Sequence, residues 1–321
     1  MLTRRSIIAA GLLAPVSVQA QTPSAGLVRI INPFPAGGTS DAMARLLQPI
    51  LQQRLGATVL VENRPGASAS IGAAVVAKSP PDGSTWLLTS DTFVVSTLLL
   101  NNLPYDVQKD FEPVTMIGRG PMVLCAHPSR PYRTLPELIA AAKARPDVLT
   151  YGTTGIGSNG HLTMAALCQL TGIKLVHVPY RGAAPVLNDG TAGHIDMVIS
   201  SSATVAPQIE AGQLHAVVQF GERRAPFLPD TLTAIENGIA SLHAYSWFGF
   251  FGPAGTPKPI LDRFYRDVAV AVRDETNHNT LVNKFRVEVP LPTPDELRKM
   301  IVAELPFWAK IIRDNNIKVG T

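Results

Sequence analysis

Pro33-Phe34-Pro35-Ala36-Gly37-Gly38-Thr39 and Gly152-Thr153-Thr154-Gly155-Ile156-Gly157-Ser158 decide how this chain folds. Each is a glycine-rich turn that follows a β-branched run and opens a helical pattern. Around the first, residues 28–31 read as a strand. Thr39 or Ser40 then caps a helix whose apolar positions Met43, Leu46, Leu47, Ile50 and Leu51 recur at helical spacing, Gly56 ends that helix, and 58–61 is the next strand. Around the second, a strand at 148–151 leads to a helix at 159–170, a stop at Gly172 and a strand at 174–178. Both are βαβ units, for which a right-handed crossover is expected. Gly38 precedes Gly66 by 28 residues and Gly155 precedes Gly182 by 27, so the two units share one plan.

The rest of the chain fits two α/β lobes. Strands are expected at 85–88, 113–117 and 122–126, a helix at 135–144, then a helix at 186–188, a strand at 195–199, a helix at 205–211 and a strand at 214–218. Trp247-Phe248-Gly249-Phe250-Phe251 reads as an antiparallel strand returning to the first lobe, followed by helices at 260–272 and 294–315. The expected division is residues 26–124 with 246–321 as a discontinuous first lobe and 125–245 as the second. Two crossovers near 124–127 and 244–247 would act as hinges.

Arg4-Arg5, an apolar run at 7–18 and Val18-Gln19-Ala20 match the three regions of an export signal over residues 1–20, with Gln21 as the mature N-terminus. Thr3-Arg4-Arg5-Ser6 also suits a twin-arginine route. The apolar run is shorter than the ~20 residues of a membrane span, so the mature chain is expected in the periplasm, free of the membrane and monomeric. Loss of Arg4 and Arg5 lowers the formal net charge from +4 to +2. Lysines and arginines are scattered, without the basic patch of a nucleic-acid binder. Cys125 and Cys168 sit in apolar settings and read as two buried thiols.

A helix start presents unpaired N–H groups and a partial positive charge, so it binds a carboxylate without a basic side chain. Other chemistries fit less well. Gly155-Ile156-Gly157-Ser158-Asn159-Gly160 has dinucleotide-loop spacing, but the acidic residue needed about 20 residues on is replaced by His177-Val178-Pro179-Tyr180-Arg181, so no cofactor is expected. Ser158 lacks the glycine two places before it that a nucleophile elbow requires, and no metal-ligand spacing occurs. Three further groups suit a ligand: Asp41 and His161 in the first turns of the two helices, Ser90, Asp91 and Ser200 at strand ends, and Arg181 as a carboxylate partner.

Pro33-Phe34-Pro35-Ala36-Gly37-Gly38 with Asp41, Val61-Glu62-Asn63-Arg64-Pro65-Gly66-Ala67, Pro81-Asp82-Gly83, Val178-Pro179-Tyr180-Arg181-Gly182 and Gly252-Pro253-Ala254-Gly255-Thr256-Pro257 together resemble the Bug-type receptors of tripartite tricarboxylate transporters. The resemblance spans the mature chain. It implies a two-lobed, type II periplasmic-binding-protein-like α/β fold that closes on a small carboxylate and delivers it to membrane permease subunits, without enzymatic activity. It further implies that Phe34, Ala36, Gly37, Gly38 and Asp41 hold one side of the ligand, and Thr39 at the same helix start is a further candidate. Thr153, Gly155, Gly157, Ser158 and His161 hold the other. Asp91 stands where such receptors commonly carry an uncharged residue; facing the cleft, it would favour a monocarboxylate bearing an amine or hydroxyl, such as an amino acid or aromatic acid. The alternatives are an exported hydrolase using Ser158 and His161, and a ligand-sensing co-receptor.

Overall fold

The computed structural model describes residues 26–100 and 102–318. The export signal and Gln21 lie outside the described residues. In chain order the elements are β1 (Leu27–Asn32), α1 (Thr39–Leu55), β2 (Thr58–Asn63), α2 (Ser70–Ala77), β3 (Thr85–Ser90), α3 (Asp91–Leu99) and β4 (Phe111–Ala126). Next come α4 (Leu135–Ala144), β5 (Thr150–Thr153), α5 (Asn159–Thr171), β6 (Val176–Pro179), α6 (Ala183–Ala192), β7 (Met197–Ser201), α7 (Ser202–Glu210) and β8 (His215–Gln219). β9 (Tyr245–Pro253), α8 (Lys258–Arg273), α9 (Glu275–Asn279) and α10 (Pro294–Asp314) complete the chain.

The strands run in the order β2-β1-β3-β9-β4-β7-β5-β6, with β8 also paired to β4. β2, β1 and β3 are parallel to one another, as are β7, β5 and β6, while β9 returns antiparallel between β3 and β4. Both expected βαβ units are therefore present. The inner strands bury both faces beneath helices, as parallel sheets do, whereas the edge strands β2 and β6 leave one or both faces partly exposed. In the first lobe Ile30, Leu88 and Phe250 pack against α1 and α8, while Ile31, Leu87 and Phe251 pack against α2, α3 and the start of α10. In the second, Leu124 and Ile199 face α4 and α5, while Val123 and Val198 face α6 and α7. Trp86 stacks on Phe264 of α8 with ring centroids 3.8 Å apart, locking the returning helix onto the first sheet. Cys125 is buried and Cys168 partly so, and both are free thiols.

Three features differ from the sequence reading. The strands expected at 113–117 and 122–126 are one continuous β4, in which Phe111 to Pro121 pair with β9 and Met122 to Ala126 pair with β7 and β8. Proline normally demotes a strand because it cannot donate to the ladder. Pro121 escapes that cost because it stands where one ladder hands over to the next. The crossover of β4 consequently falls at 120–122, ahead of the expected 124–127. Finally, α10 serves both lobes: Leu297 and Ile301 join the first lobe's core, whereas Trp308 and Ile311 join the second's. Pro294 at N1 and the Thr293–Glu296 capping box fix where that helix begins.

Candidate functional site

The parallel strands of both lobes end at one cleft of about 710 Å³. The helices that follow them begin there. Residues at the starts of α1, α3, α5, α6 and α7 all line it, so five helix N-termini converge where the sequence had indicated two. Ser90 and Ser158 cap their own helices by accepting the N–H of Thr92 and of His161. The N-caps of α1, α6 and α7, which are Gly38, Gly182 and Ser201, make no side-chain capping bond, so their first-turn N–H groups are left for a guest. The cleft offers donors and positive dipole ends, and Arg181 is the only basic side chain that lines it among the described residues.

The two glycine turns are copies of one another. Gly37 and Gly157 each precede the N-cap, with φ of +80° and +76°, a left-handed conformation in which glycine avoids the Cβ penalty. In each, the residue at N3 reaches back to accept that glycine's N–H. Asp41 Oδ2 lies 2.9 Å from Gly37 N, and His161 Nδ1 lies 3.0 Å from Gly157 N. Phe34 is held through its carbonyl, which accepts from Asn63 Nδ2 at 3.1 Å, so the first turn is also tied to the end of β2.

Of the residues expected to meet ligand, Phe34, Ala36, Gly37, Gly38, Thr39, Ser90, Ser158, Arg181 and Ser200 do line the cleft. Asp41, Thr153, Gly155, Gly157 and His161 do not. Asp41 is buried and its carboxylate is occupied by Gly37 N–H and by Arg45, whose Nε lies 3.1 Å from both oxygens. Burial opposes its ionisation, but these hydrogen bonds prevail and hold its pKa below the ordinary value. The Thr153 hydroxyl is fully buried against His177 Nε2, 2.7 Å away, and against Gly155. Gly157 is sequestered because His161 takes its N–H, and Gly155 is turned toward the Tyr180 backbone. His161 packs behind the turn, stacked on His177 with centroids 3.9 Å apart, and burial lowers its pKa to about 4.

Asp91 borders the cleft but does not present a free carboxylate to it. Its Oδ1 accepts from Ser246 Oγ at 2.8 Å and from Trp247 N at 3.3 Å, and its Oδ2 accepts from Asn159 Nδ2 at 3.0 Å. Burial drives its pKa above the ordinary value, outweighing the pull of these donors. The Asp91 carboxyl, expected to favour an amine-bearing monocarboxylate if it faced the cleft, thus has both oxygens engaged by donors of the protein itself. Asn159 also donates to the Tyr245 carbonyl at 2.9 Å, so α5 of the second lobe is tied to both α3 and β9. The Ser158–His161 hydrolase pairing also fails. The serine hydroxyl caps the helix and the imidazole Nδ1 is turned to Gly157, leaving no base on the hydroxyl.

Sequence reading missed Thr92, Thr154, Asn159, Gly182 to Ala184, Thr204 and Ser246, all of which line the cleft, as does Ser201, which it had placed with Ser200 at a strand end facing the cleft. Most lie at helix starts directly after β6 and β7, where open α/β sheets place ligands. Gly182 and the Ser200-Ser201-Ser202 run were the available signals.

Residues 43–317 match the model of the tripartite tricarboxylate transporter family receptor. The chain belongs to that family. It is 34% identical to BugT of Bordetella pertussis, covering 98% of this chain and 96% of that protein. A solved protein of R. palustris with adipate superposes with a TM-score of 0.83 at 30% identity, covering 92% of this chain and 99% of that one. MatC of Rhodopseudomonas palustris with bound malate gives 0.79 at 28% identity, over 90% and 99%. This family receptor therefore has the periplasmic-binding-protein fold of its relatives.

Proposed function

We propose that this receptor captures a small organic acid with two carboxylates and four to six carbons in the cleft between its lobes and passes it to membrane permease subunits. Its place would be the periplasm, and it would carry out no chemistry on the ligand. One observation carries the reading: five helix N-termini, three of them uncapped, open on a cleft whose one acidic side chain is already fully engaged. One carboxylate would rest on the first-turn N–H groups of α1 and on those of Asn159 and Gly160 in α5, which the Ser158 cap does not take. Arg181 and the start of α6 stand on the second lobe's rim for the other. The adipate and malate found in two relatives agree with this class. Hydrogen bonds to a charged group contribute ~1.5–3 kcal/mol each, so a few converging donors reach micromolar affinity, about 8 kcal/mol, after the cost of association.

Titration calorimetry of the mature chain with malate, succinate, adipate and their monocarboxylate counterparts tests the proposal. Dicarboxylates should bind at micromolar concentration and Arg181→Gln should weaken them selectively. Equal affinity for acids with one and two carboxylates would remove the dicarboxylate class, and silence toward every acid would remove the receptor reading.

A further inference from the structure

Asp41 and His161 occupy equivalent places, N3 of the helix after each glycine turn, yet neither reaches the cleft. Both spend an acceptor on the N–H of the glycine just outside the helix. That glycine holds a left-handed φ in both turns, and its N–H would otherwise be a loose donor competing for solvent or guest. We propose that Asp41 and His161 are paired positioning residues that fix the two turns, so that the neighbouring first-turn N–H groups meet a carboxylate already aligned. The inference rests on the receptor reading above and adds to it which side chains set affinity from behind the site.

The two braces use different chemistry. Asp41 accepts as a carboxylate held by Arg45, which also reaches Asn63 Oδ1 at 3.3 Å. His161 accepts only while Nδ1 is unprotonated; on protonation the nitrogen becomes a donor facing another donor. The titratable groups that face this imidazole are His177 of β6, stacked on it, and behind that ring Tyr151 of β5, at 5.0 Å from His177. Burial lowers His161 and, together with the nearby His161, lowers His177, each to about 4. No acid among the described groups acts on His161 to favour its protonation. The second turn is thus sensitive to acid where the first is not.

The test compares an acceptor-keeping and an acceptor-removing substitution at each position, using adipate and malate as probes. Asp41→Leu and His161→Leu should each weaken binding about tenfold at pH 7.5 by leaving a turn N–H unpaired. Asp41→Asn and His161→Asn, which keep an oxygen at the accepting place, should stay within about threefold of the parent. Equal losses for Leu and Asn, or no loss with Leu, would overturn the proposal. Thermal melting identifies any variant that fails to fold. The ratio of parent to His161→Asn affinity cancels protonation of the ligand and of every group outside the stacked His161–His177 pair. It should fall about twofold between pH 7 and pH 4, because a group with pKa near 4 is half protonated there, while the ratio to Asp41→Asn stays level. A level ratio for both overturns the imidazole's part. Should neither acid bind the parent chain, the dicarboxylate reading fails by itself. The braces are then judged by nuclear magnetic resonance of the Gly157 amide: a shift following His161 protonation in the parent and absent in His161→Asn supports them, and an amide indifferent to pH overturns them.

Discussion

The glycine turn before α1 and the one before α5 share backbone, glycine conformation and brace position, but they differ in what they are attached to. The first is anchored within its own lobe, through Asp41 to Arg45 and through Asn63 to the Phe34 carbonyl. The second sends Asn159 across to Asp91 of α3 and to the Tyr245 carbonyl at the foot of β9. One turn is a fixed wall. The other belongs to the seam between lobes, and its side chains couple a cleft-facing helix start to the strands that join the halves.

The sharpest way to break this comparison is at N1 of each helix. Asn159→Leu strips Asp91 of a donor while leaving it buried, and should cost about 3 kcal/mol of stability in urea unfolding. Thr39→Val at the matching place in the first lobe should change stability by less than about 0.5 kcal/mol. Equal costs would erase the distinction.

The seam can also be read through Glu304 of α10. Burial, and then the nearby Asp91, raise its pKa to about 7, against the pull of Arg119 and Trp247. The folded chain therefore holds a proton that the unfolded chain releases near 4.5, and stability declines as pH rises from there through 7. Glu304→Gln should add about 2 kcal/mol at pH 8 and almost nothing at pH 4.5, measured by chemical denaturation at the two values.

His161 and His177 act with the opposite sign. Their folded pKa values, lowered to about 4, lie below the unfolded 6.5, so stability is complete above 6.5 and is lost as pH falls toward 4. Replacing His161 by Asn should recover about 1 kcal/mol at pH 4.5, a figure reduced for the ring's partial exposure to water. Asp41→Asn should recover none. The smallest effect concerns the first turn's outer support: Arg45→Gln removes a half-exposed ion pair and should cost about 0.5 kcal/mol, because Asp41 keeps the Gly37 N–H.

Much of the fold was legible because it is written in local signals. Gly56 and Gly172 both end helices in the left-handed conformation, and the apolar spacing from Met43 to Leu51 marks the buried face of α1. What escaped was non-local. Whether Pro121 breaks a strand depends on which partners flank it, and whether α10 belongs to one lobe depends on what lies against Trp308. At the site, the turns themselves were readable, while the roles of Asp41, His161 and Asp91 were not. A polar side chain in a first turn looks the same in sequence whether it points into a cleft or back at its own glycine. Asp91 looked like a ligand contact because its three donors come from α5 and β9, 68 to 156 residues away.

β4 runs sixteen residues from one sheet into the other without interruption. An extended, laddered segment cannot turn sharply at one residue without breaking the hydrogen bonds that its neighbours make to β9 and β7. Any relative movement of the two halves is therefore shared between β4 and β9, which pair over that span.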